Sequence, residues 1–274
     1  MRKQDRNFKR LLGIAMMLLF FGFALLPIVW ALILSFRPAS HLFEPIWQSP
    51  TMLTLENFRS LLRSDFPHAL LNSLVTAGTS TVLAMLIGVP GGFALAKGRS
   101  QKRFIASWAL LLLRMAPPVG FVIPLFLIYL NIGLLDTWLG LIAAYMVLTL
   151  PLVVWSSWTS LAQIPDELIE ASLLDGASLF QSLTKVVIPA ARPGLIATAV
   201  LAFLIAWNDF FFALIITRGN TVTAPVSVMN FVSYASVDWG SIALASVVLT
   251  LPTLPVIIFA NKFIVQSMGG AVKG

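Results

Sequence analysis

Apolar residues run in long blocks along this chain, rather than alternating or recurring along one helical stripe. Six blocks, 11–34, 69–96, 104–130, 139–161, 194–217 and 241–265, each reach the length of about 20 residues that a membrane-spanning helix needs. Between the fifth and sixth blocks, Asn220, Pro225, Asn230 and Asp238 interrupt the pattern, which predicts an interfacial loop or a short helix there. The pattern therefore predicts an all-α polytopic membrane protein, a single membrane domain over 1–274 with six transmembrane helices. The first block follows a basic stretch and so resembles a signal peptide. However, it is longer than an apolar signal core of about 7–15 residues and shows no convincing cleavage site, so it reads as a retained span.

The loop 162–193 between the fourth and fifth blocks has its own pattern. Four of the eleven carboxylates of the chain, Asp166, Glu167, Glu170 and Asp175, lie in it. Pro165 followed by two acids is a helix start, because carboxylates in the first turn oppose the positive helix end. Gly176 is a stop, since glycine enters the left-handed region without a Cβ penalty. Ser178-Leu179-Phe180-Gln181 has capping-box form and opens a second short helix, which Pro189 and Pro193 are expected to end. Leu168, Ala171 and Ser172 share one helical face, where small residues let a partner backbone approach, and Glu170 beside them suits a basic partner group. On these residues alone, a solvated connecting loop explains the acids equally well.

Composition narrows the chemistry. The chain is 58% hydrophobic and 11% charged, with a mean hydropathy of +0.92. It has no cysteine, and its two histidines, His41 and His68, share one loop, so thiolate chemistry is excluded and a histidine metal centre is disfavoured. The net charge of +7 arises beside the apolar blocks, a sign of membrane orientation rather than nucleic-acid binding. Basic residues crowd one side (Arg2 to Arg10, then Lys97 to Arg103, Lys185, Arg192, Lys262 and Lys273), whereas Arg37, Arg59, Arg63 and Arg218 lie on the other. The richer side is expected to be cytoplasmic. That puts both termini and the acidic loop inside. The outer loop before the second block, with Pro38, Pro45, Pro50 and Pro67, reads as an irregular cap.

Polar groups inside an apolar block are costly and face a partner or a water-filled cavity. Arg114 falls roughly 16 Å along the third block from Arg103, and Asp209 roughly 7 Å further outward in the fifth. Two readings are open for Arg114: pairing with Asp209, or capping carbonyls freed by Pro117 and Pro118. Arg114, Asn208 and Asp209 are also candidates to line a translocation path, with Arg114 favouring an anionic solute and Asn208 bonding hydroxyls. Tyr129, Trp155 and Trp158 have the form of sugar-stacking residues, although packing or interfacial anchoring explains them better. Pro117, Pro118, Gly120 and Pro124 break the third block, and Gly88, Pro90, Gly91 and Gly92 mark either a kink or a close helix approach in the second.

The acidic loop resembles the cytoplasmic signature of ABC-importer permeases, E-A-A-x3-G-x9-I-x-L-P. Glu170, Ala171, Gly176 and Pro189 match it, while Ser172, Val186 and Ile188 are substitutions that preserve size or apolarity. Ala206-Trp207-Asn208-Asp209, Leu55-Glu56-Asn57-Phe58, Leu71-Asn72-Ser73 and the ending Gly269 to Gly274 are similar to segments of the carbohydrate branch related to the maltose system, closest to its smaller six-span partner. The resemblance implies a permease subunit in a bacterial inner membrane that pairs with a second permease. Through Leu168, Glu170, Ala171, Ser172, Gly176 and Pro189 it would couple to an ATPase pair, and an external sugar-binding protein would feed it. The tail near Lys273 is expected to approach the ATPases. ATP and magnesium would bind that partner, because no G-x-x-x-x-G-K-S/T segment occurs here. This chain itself is expected to carry no cofactor, metal or catalytic residue. Rival readings are an importer of a non-sugar solute, a secondary transporter and a membrane enzyme. The transporter lacks repeats and mid-span acids beyond Asp209, and the enzyme lacks a clustered catalytic set.

Overall fold

A computed structural model describes residues 2–42, 44–45, 53–98, 102–115, 117–233, 237–259 and 261. The described chain is helical, apart from an isolated bridge between Val232 and Val237. Helices α1 (Arg2–Ser35), α2 (Glu56–Arg63), α3 (Phe66–Lys97), α4 (Lys102–Met115), α5 (Pro118–Ile132) and α6 (Trp138–Ala162) come first. They are followed by α7 (Asp166–Leu174), α8 (Leu179–Ser182), a π turn (Leu183–Val187), α9 (Ile188–Ala190), α10 (Arg192–Trp207), α11 (Phe211–Ile216), α12 (Ala224–Ser227) and α13 (Trp239–Thr250). Among the described residues, four helical stretches are long and apolar enough to cross a bilayer: Arg10–Ser35, Phe66–Lys97, Trp138–Ala162 and Trp239–Phe259. A bent pair, Leu179–Ala190 with Arg192–Trp207, adds a fifth crossing if counted as one span.

The chain forms two compact units. One comprises the residues up to Pro67 together with Val228–Leu251. In it α1 and α2 both pack on α13. The buried amide of Asn57 donates to the Ser35 and Arg37 carbonyls at 2.9 and 3.0 Å, satisfying backbone groups left over where α1 ends. Gly240 lies flat against that amide; a Cβ there would come within 2.7 Å of it. The Leu55-Glu56-Asn57-Phe58 segment is thus an internal seal for this unit.

The other unit, His68–Ser227 with the residues from Pro252 onward, is built on α3 and α6. Gly88 and Gly92 bring these two helices into contact. A Cβ on Gly92 would lie 2.8 Å from Ser157 Cβ and from the Trp158 backbone nitrogen, and one on Gly88 would lie 2.6 Å from Val153. The helix α3 stays unbroken through Pro90, so its glycines serve close approach. Helix α10 packs along α6, with Ala84, Val153 and Ala202 buried together.

Two of the expected spans are divided. The block 104–130 is split into α4 and α5, because Pro117 and Pro118 cannot supply the amides that would carry a helix through, whereas Pro124 stays inside α5. The block 194–217 is split at 208–210 into α10 and α11. Here side chains brace the two helix ends, Asn208 by adding a second donor to a carbonyl that its own amide already bonds and Asp209 by capping an amide of α11. Asn208 Nδ2 donates to the Leu204 carbonyl at 2.8 Å, and the Asp209 carboxylate accepts from the Ala213 amide at 3.2 Å.

Candidate functional site

The acidic loop folds into a short rod and a bend. Pro165 is the extended residue before α7, and Asp166 and Glu167 occupy its first turn. Gly176, with φ +86°, ends the helix. The Ala177 amide reaches back to the Ser172 carbonyl and the Gly176 amide to Leu173, which closes the last turn. The capping box is present in full: Ser178 Oγ accepts from the Gln181 amide, and Gln181 Oε1 accepts from the Ser178 amide. Pro189 and Pro193 do not end the second helix as expected. Pro189 lies within α9 and Pro193 in the first turn of α10. The turn falls between them at Ala191, where the chain bends by 85°. Pro193 is accommodated because the amides of a first turn have no helical partner.

One side of α7 is anchored and the other is open. Ile169 packs with Val89 of α3, Leu161 of α6, Leu183 and Val187 of the π turn, and Ala191 and Leu195. Ser172 Oγ lies 2.7 Å from both the Ile169 carbonyl and Ser182 Oγ, all of it buried. Ser172 therefore does not share an outward face with Leu168 and Ala171. It points into its own chain because the i, i+3 partner it follows is the buried Ile169. Lys97, at the end of α3, donates to the Ile164 carbonyl and to Asp166 Oδ1 at 2.6 Å, pinning the start of α7. A cavity of about 450 Å³ lies between the end of α3 and α7, lined by Phe93, Lys97, Ile169, Glu170, Leu173 and Leu179 among others.

Leu168, Glu170, Ala171, Leu173 and Asp175 are exposed, and Leu174 is 89% exposed. A solvated loop has no reason to hold leucines in water, whereas an apolar stripe flanked by acids fits a partner's groove. The sequence reading missed Lys97 as an anchor and counted it only as an orienting charge. Its position at the end of an apolar block, opposite an acid at the start of α7, was the available signal.

The candidate path residues are not brought together in the same way. The Arg114 side chain lies outside the described residues, and so does the C-terminal segment with Lys273. For Asp209, the bond shown is the cap on α11; for Asn208, it is the bond back to α10. Trp155 and Trp158 pack edge to face on each other at 4.9 Å, and Tyr129 is buried.

Residues 88–268 match the family described as binding-protein-dependent transport system inner membrane component. The trehalose transport system permease protein SugB of Mycobacterium tuberculosis is 37% identical, over 92% of this chain and 94% of its own. The trehalose/maltose transport system permease protein MalG of Thermococcus litoralis is 32% identical over 99% of both. In fold, the chain is similar to a subunit of a bacterial ABC transporter that imports the acidic polysaccharide alginate, with a TM-score of 0.77 and 21% identity over 94% of this chain and 97% of that one. With its apolar helices, braced acidic rod and full-length likeness to sugar permeases, the chain belongs to the binding-protein-dependent inner-membrane transport components, in their carbohydrate ABC-importer branch.

Proposed function

We propose that this chain forms, with a second permease, the membrane path of an ATP-driven importer for a sugar or sugar derivative, and that α7 is the part an ATPase subunit grips. The observation that carries this reading is the two-sidedness of α7. Its inner face is tied to α3, α6 and α10 through Ile169, to α8 through Ser172, and again to α3 through the Lys97–Asp166 pair, while its outer face leaves Leu168, Glu170, Ala171 and Leu174 open. A push on the open face reaches the spans through the packed contacts of Ile169 and the Lys97–Asp166 pair.

Under this reading both termini and α7 face the cytoplasm, which agrees with the excess of basic residues on that side. ATP and magnesium bind the partner ATPases, and an external binding protein delivers the solute. Ala171 and Gly176 keep the groove contact close and the rod short, and Pro189 sits at the hinge that passes motion to α10. Trehalose and related disaccharides are the first solutes to test, given the names of the two similar permeases.

Reconstitution decides the matter. The chain, co-expressed with its neighbouring permease and ATPase and supplied with the binding protein, is expected to take up sugar into proteoliposomes only with ATP. Uptake by the chain alone, driven by an ion gradient, would contradict the reading.

A further inference from the structure

At the ends of α3 and α6 remote from α7 lies a second tie. α6 starts there, and its 25 residues put that start roughly 37 Å from its other end. Asp136, in the turn between α5 and α6, has φ +54°, the one non-glycine residue in the left-handed region among those described. Its carboxylate faces four consecutive backbone amides. Oδ1 accepts from Arg218 and Thr221, both at 3.0 Å, and Oδ2 from Gly219 at 3.3 Å and Asn220 at 3.0 Å. The Thr221 hydroxyl adds a bond of 2.8 Å and the Asn220 side-chain amide one of 3.1 Å. The Asp136 amide itself donates to the carbonyl of Ile216, the last residue of α11. Runs of successive amides make anion sites, and here the anion is supplied by the chain's own carboxylate.

The fully buried Asn72 of α3 completes the joint. Its Nδ2 donates to the Asn220 and Val222 carbonyls, both at 3.0 Å, and its Oδ1 accepts from Trp138 Nε1 of α6 at 2.8 Å. Ser73 Oγ accepts from the amide of Ala224, where α12 begins. Burial alone would raise the pKa of Asp136. The bonds from Arg218, Asn220 and Thr221 outweigh it and hold the carboxyl well below the usual carboxylate range.

We propose that Asp136 is a positioning residue for transport: its carboxylate clamps the 218–221 turn to the α5–α6 turn, so that the far ends of α3, α6 and α11 move as one body when α7 is pushed. The clamp rests on the reading of α7 as the ATPase-gripped rod. It adds that the stroke crosses the membrane through a rod, α3 against α6, that is fastened at both ends. Without Asp136 the 218–221 turn loses its one shared acceptor, and the motion delivered at α7 is lost in a loose joint.

The test uses the full complex in proteoliposomes, reading sugar taken up per ATP hydrolysed. Asp136→Asn suits it because asparagine tolerates the left-handed backbone while turning one acceptor oxygen into a donor facing amides. Uptake per ATP is expected to fall about tenfold, the scale of one lost charge-assisted bond, with assembly and basal ATP hydrolysis retained. A second variant, Asp136→Cys with Thr221→Cys, exploits the absence of other cysteines in the chain. Uptake per ATP is expected to be low when the pair is reduced and to recover when it is bridged by a disulfide or a short thiol cross-linker. An unchanged ratio in Asp136→Asn would overturn the proposal. So would a bridged pair that blocks uptake, because the joint would then have to open during the cycle. If Asp136→Asn fails to assemble, the bridged pair decides alone, and recovery supports the clamp. If the unaltered complex shows no stimulation of ATP hydrolysis by the binding protein, the reading of α7 fails, and the clamp with it.

Discussion

The two ends of the α3–α6 rod are built to opposite rules. At the α7 end, few polar ties hold α7 to the body (Lys97 to Asp166, and Ser172 to Ser182), and leucines and acids are left open to solvent. At the Asp136 end, one carboxylate takes six donors and a buried asparagine takes three partners, so the polar groups are spent internally. The difference separates a surface meant to be gripped from a joint meant to hold. Exposed groups without partners retain unused bonding capacity for another protein, and saturated groups do not.

The sharpest way to break this picture is to part the rod between its ends. Gly92→Leu places a side chain on the backbone of Trp158 and is expected to cost upward of about 3 kcal/mol, abolishing assembly of the complex. Gly78 has open space around its Cβ position, so Gly78→Ala in the same helix is expected to be neutral or to stabilise by up to about 1 kcal/mol. Thermal unfolding in detergent followed by size-exclusion chromatography separates the two.

At the gripped end, Gly176→Pro cannot adopt φ +86°, and Glu170→Lys reverses an exposed charge. Both are expected to insert normally yet lose most of the ATPase on co-purification. ATPase recovery from both variants equal to that of the unaltered chain would remove the distinction between the ends. A smaller effect is expected from Ser172→Ala, which leaves Ser182 without its buried partner at a cost of about 1–3 kcal/mol, seen as a lower melting temperature with the outer face of α7 intact.

Much of the gripped end was legible in the sequence because its signals are local. A proline before two acids, a glycine stop and a capping box act within a few residues, and each stands where it was read. The direction of Ser172 was not legible. Helical spacing gives the face a residue shares, while the packing of Ile169 decides which face turns inward. The break at Asn208 and Asp209 was hidden because a hydropathy window averages over two polar residues, and those residues are the ones whose side chains brace the two helix ends. The joint at Asp136 was hidden for a different reason. Its partners lie more than 60 residues away in sequence, in Asn72 and in residues 218–221, and no local periodicity links them.

The smallest expected effect concerns pH. The folded Asp136 carboxyl is held below its unfolded value, so its contribution is present above the ordinary carboxylate pKa of about 3.9 and is lost only as pH falls through the lower folded value. Uptake measured between about pH 5 and 8 on that side of the membrane is therefore expected to show no step due to Asp136. A titration centred within that range and abolished by Asp136→Asn would show that the joint is not saturated.

The most direct measurement is a single-cysteine cross-link at Leu174, the most exposed leucine of α7, in a chain with no other cysteine. With Leu174→Cys in intact cells, the account predicts that a membrane-permeant thiol-reactive photo-cross-linker placed on it forms an adduct to the ATPase subunit, and that the thiol is protected from a membrane-impermeant reagent added outside. Labelling from the exterior, with no adduct to an ATPase, would contradict it.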